Sequence, residues 1–128
     1  ATADIDRDQV VQILTNLVTN AYDAMPNGGK LTVSASGDRE WVVLEVADEG
    51  VGVPKEIKNK IFEPFFTTKQ MGKGTGLGLA VVYGIVKMHR GDITLESNAD
   101  PAAGKTGTTF KVKLPRRPKT ALEEGARA

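Results

Sequence analysis

The chain has 128 residues, 40% hydrophobic and 26% charged, the size of one ordinary domain with enough apolar mass for a core. Its 17 Lys plus Arg offset 16 Asp plus Glu to a formal charge of +1, which gives no electrostatic footprint for nucleic acid. With no cysteine and one histidine, His89, a disulfide scaffold, a thiolate metal site and a histidine-built zinc centre are excluded. No apolar run approaches the roughly 20 residues that span a bilayer, and the opening ATADIDRDQ has no signal-peptide core. The chain therefore reads as soluble and cytoplasmic, with no membrane contact of its own. A start close to the first helix, with no sensor region, is also compatible with one module of a longer protein.

From Asp6 to Met25, apolar residues recur at Val10, Ile13, Leu14, Leu17, Ala21 and Ala24, the spacing of one helical face. Asp4 or Asp6 is positioned to cap its start. Pro26-Asn27-Gly28-Gly29 stops this helix, and Leu31, Val33 and Ala35 then alternate with polar residues as in a half-buried strand. A hairpin turn at Gly37-Asp38 leads to a second strand over 41–47, apolar at most positions and so expected in the middle of a sheet. Residues 54–60 read as a short helical turn with Pro54 at its first position. The stretch 67–75 reads as a mobile loop. The apolar run from Leu77 to Met88 predicts a helix buried on most sides, ended by Gly91. Two more strands follow, over 92–97 and 106–114, joined by a loop over 98–105. The order predicts an α/β (α+β) two-layer sandwich, with helices on one face of a mixed, mostly antiparallel sheet. One domain is expected over 1–115, with a disordered polar tail over 116–128.

Three stretches depart from ordinary scaffold chemistry. On the polar side of the first helix Gln12, Asn16, Asn20 and Asp23 fall in one row. Asn16 and Asn20 are poor helix formers whose neutral amide oxygens suit a hard cation such as Mg²⁺, although asparagines on a solvated face give the same pattern. At DEGVG, Asp48 leaves the central strand beside Gly50 and Gly52, which admit close approach of backbone or ligand. That pattern fits equally a turn and a carboxylate accepting from a base amino group. GKGTGLGL at 72–79 runs from glycine-rich loop into helix, and unpaired N–H groups at a helix start suit phosphate. It is not a dinucleotide fingerprint, because Leu77 stands where the third glycine belongs, and GKT at 104–106 lacks the earlier glycine of a P-loop.

Taken together, NLVTNAYDAM (16–25), DEGVG (48–52), FEPFFTTK (62–69), GKGTGLGL (72–79) and GTTF (107–110) resemble the N, G1, F, G2 and G3 boxes of the ATP-binding catalytic domain of sensor histidine kinases. The resemblance covers about 4–115 and implies the Bergerat ATP-binding fold, shared with gyrase, Hsp90 and the mismatch-repair ATPases. It implies that Asn20 ligates Mg²⁺ bridging the phosphates, assisted by Asn16, and that Asp48 accepts from the adenine amino group. Gly50, Gly52 and Ile57 would line the base pocket, with Thr108 holding the network beside Asp48. Phe62, Phe65 and Phe66 would anchor a lid, while Lys69, Gly74, Thr75, Gly76, Leu77 and Gly78 would meet the phosphates. Asp23 stands where many relatives have a basic residue, leaving Lys69, Lys73 or Arg90 for that contact.

Gyrase-type relatives position water with a glutamate where this chain has Asn16, and an asparagine cannot take a proton. The resemblance therefore implies phosphoryl transfer to a histidine on a separate dimerisation domain, and onward to a response regulator, within a kinase that could be membrane-anchored. His89, in KMHRGD, reads as a satisfied histidine at a helix end and not as the phosphoacceptor. The alternatives are a nucleotide-binding regulatory module and a protein-serine kinase of the same fold.

Overall fold

The computed structural model describes residues 7–63 and 78–116. The first helix, α1, spans Arg7–Asp23. Its apolar repeat buries Ile13, Leu17 and Ala21 completely or nearly so, and Asp8 in its first turn complements the positive end of the helix dipole. Beyond Asp23 the chain tightens, with the Ala24 N–H donating to the Asn20 and Ala21 carbonyls. The caps expected at Asp4 or Asp6 lie outside the described residues.

Four strands follow: β1 Leu31–Gly37, β2 Trp41–Asp48, β3 Asp92–Asn98 and β4 Gly107–Pro115. Among the described residues they form one sheet in the order β1-β2-β4-β3, antiparallel at every pairing, in line with the mostly antiparallel sheet expected. As its apolar content implied, β2 lies inside the sheet. The hairpin before it is set by Asp38, whose carboxylate accepts the N–H groups of Glu40 and Trp41 at 2.8 and 2.9 Å. Those two bonds hold the Asp38 carboxyl below its ordinary range. Arg116 ties down the same turn, donating its N–H to Glu40 O at 2.8 Å and its Nε to Asp38 O. Residues 117–128, expected as a disordered tail, lie outside the described residues.

Alternation along the strands decides which side chains meet the helices. Leu44 and Val46 of β2 and Phe110, Val112 and Leu114 of β4 turn inward and are buried. They form the core with Ile13, Leu17 and Ala21 of α1 and with Val82 and Val86 of the second helix, α2, which spans Gly78–Met88. On the opposite face Lys113 lies over the Trp41 ring at 4.4 Å and Lys111 lies 3.8 Å from Glu45. The helical layer rests on β2, β3 and β4, α1 on β2 and α2 on the other two.

That placement corrects two expectations. Leu31, Val33 and Ala35 pair with Asp48, Val46 and Leu44 and so face the helix side, yet every residue of β1 is exposed. The alternation chose the face correctly, but the helices do not reach over the edge strand, and Val33 remains 49% exposed. The α2 helix is likewise not buried on most sides. Val82 and Val86 are buried, while Val81, Tyr83 and Met88 are exposed, because core lies against one face only.

The end of α2 also differs from the expected glycine stop. The Arg90 N–H bonds to Lys87 O at 3.0 Å and the Gly91 N–H to Val86 O at 2.9 Å, the paired bonds of a Schellman end. The left-handed position is Arg90, with φ 58°, and Gly91 follows it. Gly91 is required by space, since it is buried and a Cβ there would collide with the Lys113 carbonyl of β4. His89 Nδ1 lies 2.9 Å from Ile85 O, so that nitrogen carries the proton and donates, as expected of a satisfied histidine. Pro54 sits just before the 3₁₀ turn Lys55–Ile57 and not in its first position. Replacing Gly91 with alanine is expected to lower unfolding free energy by about 1–3 kcal/mol in denaturant titrations, because helix end and strand must separate.

Candidate functional site

The inward alternation of β2 ends at Asp48, which places a carboxylate at the edge of an apolar core with 8% of its surface exposed. A buried carboxylate is tolerated only where donors reach it. Here the chain turns back sharply so that the Gly50 N–H donates to Asp48 Oδ1 at 2.8 Å, and Thr108 supplies a second backbone donor. Burial nevertheless dominates and pushes the Asp48 carboxyl above its ordinary range, with the bonds from Gly50 and Thr108 pulling the other way.

The turn after Asp48 is clamped from two sides. The Val51 N–H donates to Ala24 O at 3.0 Å, fixing the turn to the end of α1, and Gly50 is buried against Ala24. On the other side Gly52, at φ 78°, approaches the end of β3 so closely that a Cβ would collide with the Asn98 carbonyl. Glycine is needed there on both grounds. Glu49 points outward, accepting the Lys30 N–H at 3.0 Å and pairing with Lys105 at 2.5 Å. These partners, Lys105 first, hold its carboxyl below the ordinary range.

Beside Asp48, the antiparallel register sets Thr108 directly across on β4 and Ser97 across from Thr108 on β3. Thr108 is 5% exposed, and its hydroxyl lies 2.8 Å from that of Ser97. Ser97 Oγ also accepts the Val53 N–H at 2.7 Å and donates to Gly107 O at 2.9 Å, while Lys58 Nζ donates to Ser97 O at 3.1 Å. Sequence reasoning missed Ser97 and Lys58. A serine in LESNAD has no local signature, since its partners come from two other segments, 53–58 and 107–108. Ile57 and Phe62 are half-buried against the core, and the Phe62 ring packs on Tyr83 at 5.3 Å and on Phe110 at 6.3 Å.

The polar row of α1 lies nearer α2. Asn16 and Asn20 are half-buried, whereas Gln12 and Asp23 are exposed. Gln12 Nε2 donates to Asn16 Oδ1 at 3.0 Å, and Asn16 Nδ2 donates to Gly78 O at 3.1 Å. Asn16 thereby holds the first residue of α2 beside the row. Among the described residues no cluster of three His, Cys, Asp or Glu could cage a metal. The donor set is thus one or two amide oxygens, which fits a Mg²⁺ shared with phosphates and water, not a protein cage. The structure joins Asp48, Gly50, Gly52 and Thr108 in one cluster and Asn16 with Gly78 in another. The last eight residues of α1, Asn16 to Asp23, about 12 Å of helix, connect the two. Lys69, Gly74, Thr75, Gly76, Leu77, Phe65, Phe66 and the loop expected over 67–75 lie outside the described residues.

A family model described as histidine kinase-, DNA gyrase B-, and HSP90-like ATPase matches residues 5–118. The chain belongs to this ATPase family. It is 46% identical to the sensor kinase CckA of Brucella abortus, over 87% of this chain but only 13% of that relative. A mycobacterial sensor histidine kinase, MprB, has the same fold, with a TM-score of 0.76 and 33% identity over 91% of this chain and 78% of that one. Full-length ShkA in complex with AMPPNP matches at a TM-score of 0.70 and 30% identity, over 84% of this chain and 21% of ShkA. These likenesses bear out the two-layer sandwich of the histidine kinase catalytic domain. No helix among the described residues is long and apolar enough to cross a membrane.

The raised Asp48 carboxyl fixes the sign of a pH effect. A folded state that holds the proton more tightly than the unfolded chain loses stability as pH rises from the ordinary carboxylate range through the raised one. Measured by denaturant unfolding, the stability of the wild type relative to Asp48→Asn is therefore expected to fall from about pH 4 toward neutrality. A difference that stays flat or rises would contradict a desolvated Asp48.

Proposed function

We propose that this domain binds ATP with Mg²⁺ and catalyses transfer of the γ-phosphate to a histidine on a separate dimerisation domain of the same kinase, from which a response regulator is served. The observation that carries the reading is the joining, by one helix, of the turn at the buried Asp48 carboxylate to a row of amide side chains beside the start of a second helix. AMPPNP bound to the similar protein ShkA supports the nucleotide assignment.

In this reading Asp48 accepts from the exocyclic amino group of adenine, with Thr108 beside it. Mismatched bases are rejected because they leave a buried carboxylate without its donor. Gly50 and Gly52 keep the pocket wall free of side chains, and Ile57 and Phe62 offer apolar surface next to it. Asn20 supplies an amide oxygen to the metal, and Asn16, retaining a second lone pair beyond its bond from Gln12, assists while anchoring Gly78. Gly74, Thr75, Gly76, Leu77 and Gly78 offer backbone N–H groups to the β and γ phosphates, and Lys69 adds a positive charge. Bound Mg²⁺ would neutralise charge on the phosphates. The histidine nitrogen forms a bond to the γ-phosphorus as the bond to the bridging oxygen breaks, and ADP leaves. The chain's share is positioning and charge stabilisation.

At the position where gyrase-type relatives carry a glutamate, Asn16 cannot act as a base toward water. Hydrolysis is thereby disfavoured relative to transfer. This favours a kinase over a hydrolase of the same fold.

Calorimetric titration with ATP and Mg²⁺ is expected to give saturable binding to the wild type. In Asn20→Ala the Mg²⁺-dependent part should be lost, with an unchanged melting temperature. Mixed with a histidine-bearing dimerisation domain and labelled ATP, the wild type should leave acid-labile label on that partner, and Asn20→Ala should leave none. Acid-stable label would instead favour a serine kinase, and nucleotide binding with no label at all a regulatory module.

A further inference from the structure

The hydroxyl of Ser97 makes three contacts, and their chemistry leaves one assignment of protons. A serine hydroxyl has one proton to give and two lone pairs to offer. The Val53 N–H, 2.7 Å away, can only donate, so it occupies one lone pair. The Gly107 carbonyl, 2.9 Å away, can only accept, so it takes the proton. The remaining contact, 2.8 Å to Thr108 Oγ1, must then be a bond that Thr108 donates. With its own proton committed to Ser97, Thr108 has only lone pairs left for anything else in the pocket.

Thr108 stands directly opposite Asp48 in the β2–β4 register, and both are buried. Side chains so paired on one face lie about 5 Å apart at Cβ, within reach of one small group. The pocket consequently presents two neighbouring acceptors, a carboxylate and a hydroxyl oxygen whose proton points away. We propose that Ser97 sets the base specificity of this pocket, acting through Thr108, by holding that hydroxyl as an acceptor. An exocyclic amino group with two N–H donors satisfies both oxygens. An oxo group in its place sets lone pairs against lone pairs. Released from Ser97, the Thr108 hydroxyl turns and donates to an oxo group, so discrimination against oxo-purines weakens. Ser97 is a positioning residue, and the inference rests on the ATP reading above.

The test is the ratio of dissociation constants for inosine triphosphate and ATP, measured by calorimetry on the full chain. The wild type is expected to favour ATP by at least about 100-fold, in line with sites built to bond a donor. Ser97→Ala is expected to reduce that ratio at least about tenfold, and Ser97→Thr, which keeps the hydroxyl, to preserve it. A merely structural role for Ser97 would weaken both nucleotides alike and leave the ratio unchanged, which overturns the inference. Should Ser97→Ala fail to fold, Thr108→Val decides, since removing the acceptor itself must lower the ratio and an unchanged ratio again overturns it. A wild type that binds neither nucleotide overturns the ATP reading as well. A wild type that prefers ATP, with Ser97→Ala at the same ratio, overturns this inference alone.

Discussion

A carboxylate at the edge of an apolar core is costly, and the arrangement around Asp48 follows from supplying it with donors without filling the space in front of it. The turn must double back so that Gly50 reaches Oδ1, and it must be held there. Three elements do so: the end of α1 through Ala24, the end of β3 through Asn98 and Ser97, and the start of β4 through Thr108. Because these contacts come from both layers, the pocket forms only when helix and sheet are docked. Burial of Ile13, Leu17 and Ala21 against Leu44, Val46 and Phe110 is what docks them. Core packing and site geometry are therefore one constraint, and α1 serves both, its apolar face in the core and its amide row toward α2.

Along α1 the contacts are divided, and under the proposed ATP reading they serve the two ends of the nucleotide. Ala24 fixes the turn that follows Asp48, Asn20 sits one turn back, and Asn16 another turn back holds Gly78. A rigid helix sets these spacings more reproducibly than a loop could. The same rigidity suits chemistry that depends on placement and charge more than on proton transfer by the protein.

Much of this was legible in the sequence because it is written in short-range patterns. The apolar repeat of α1, the amide row and the strand of Asp48 each leave a periodic or local mark, and the five boxes together point to the family. What was not legible depends on neighbours. The alternation of Leu31, Val33 and Ala35 names a face, but nothing in it says whether a helix covers that face, and none of the described helices does. The apolar run of α2 suggested burial all round, yet Tyr83 and Met88 are exposed because the core approaches from one direction only. Gly91 has the look of a helix stop in sequence, whereas Arg90 takes the left-handed turn and Gly91 yields to a strand carbonyl. Ser97 was invisible for the same reason: its importance lies in Val53, Gly107 and Thr108, which only the folded sheet brings together.

The central claim is that the Asp48 pocket is the seat of the adenine base. A crystal structure of this chain with AMPPNP and Mg²⁺ tests it most directly. The exocyclic amino group is expected within hydrogen-bonding distance of the Asp48 carboxylate, with Gly52 beside the ring and the phosphates leading along α1 toward Asn20 and Gly78. A base lodged elsewhere, with Asp48 still closed on Gly50 and touching no ligand, would contradict it.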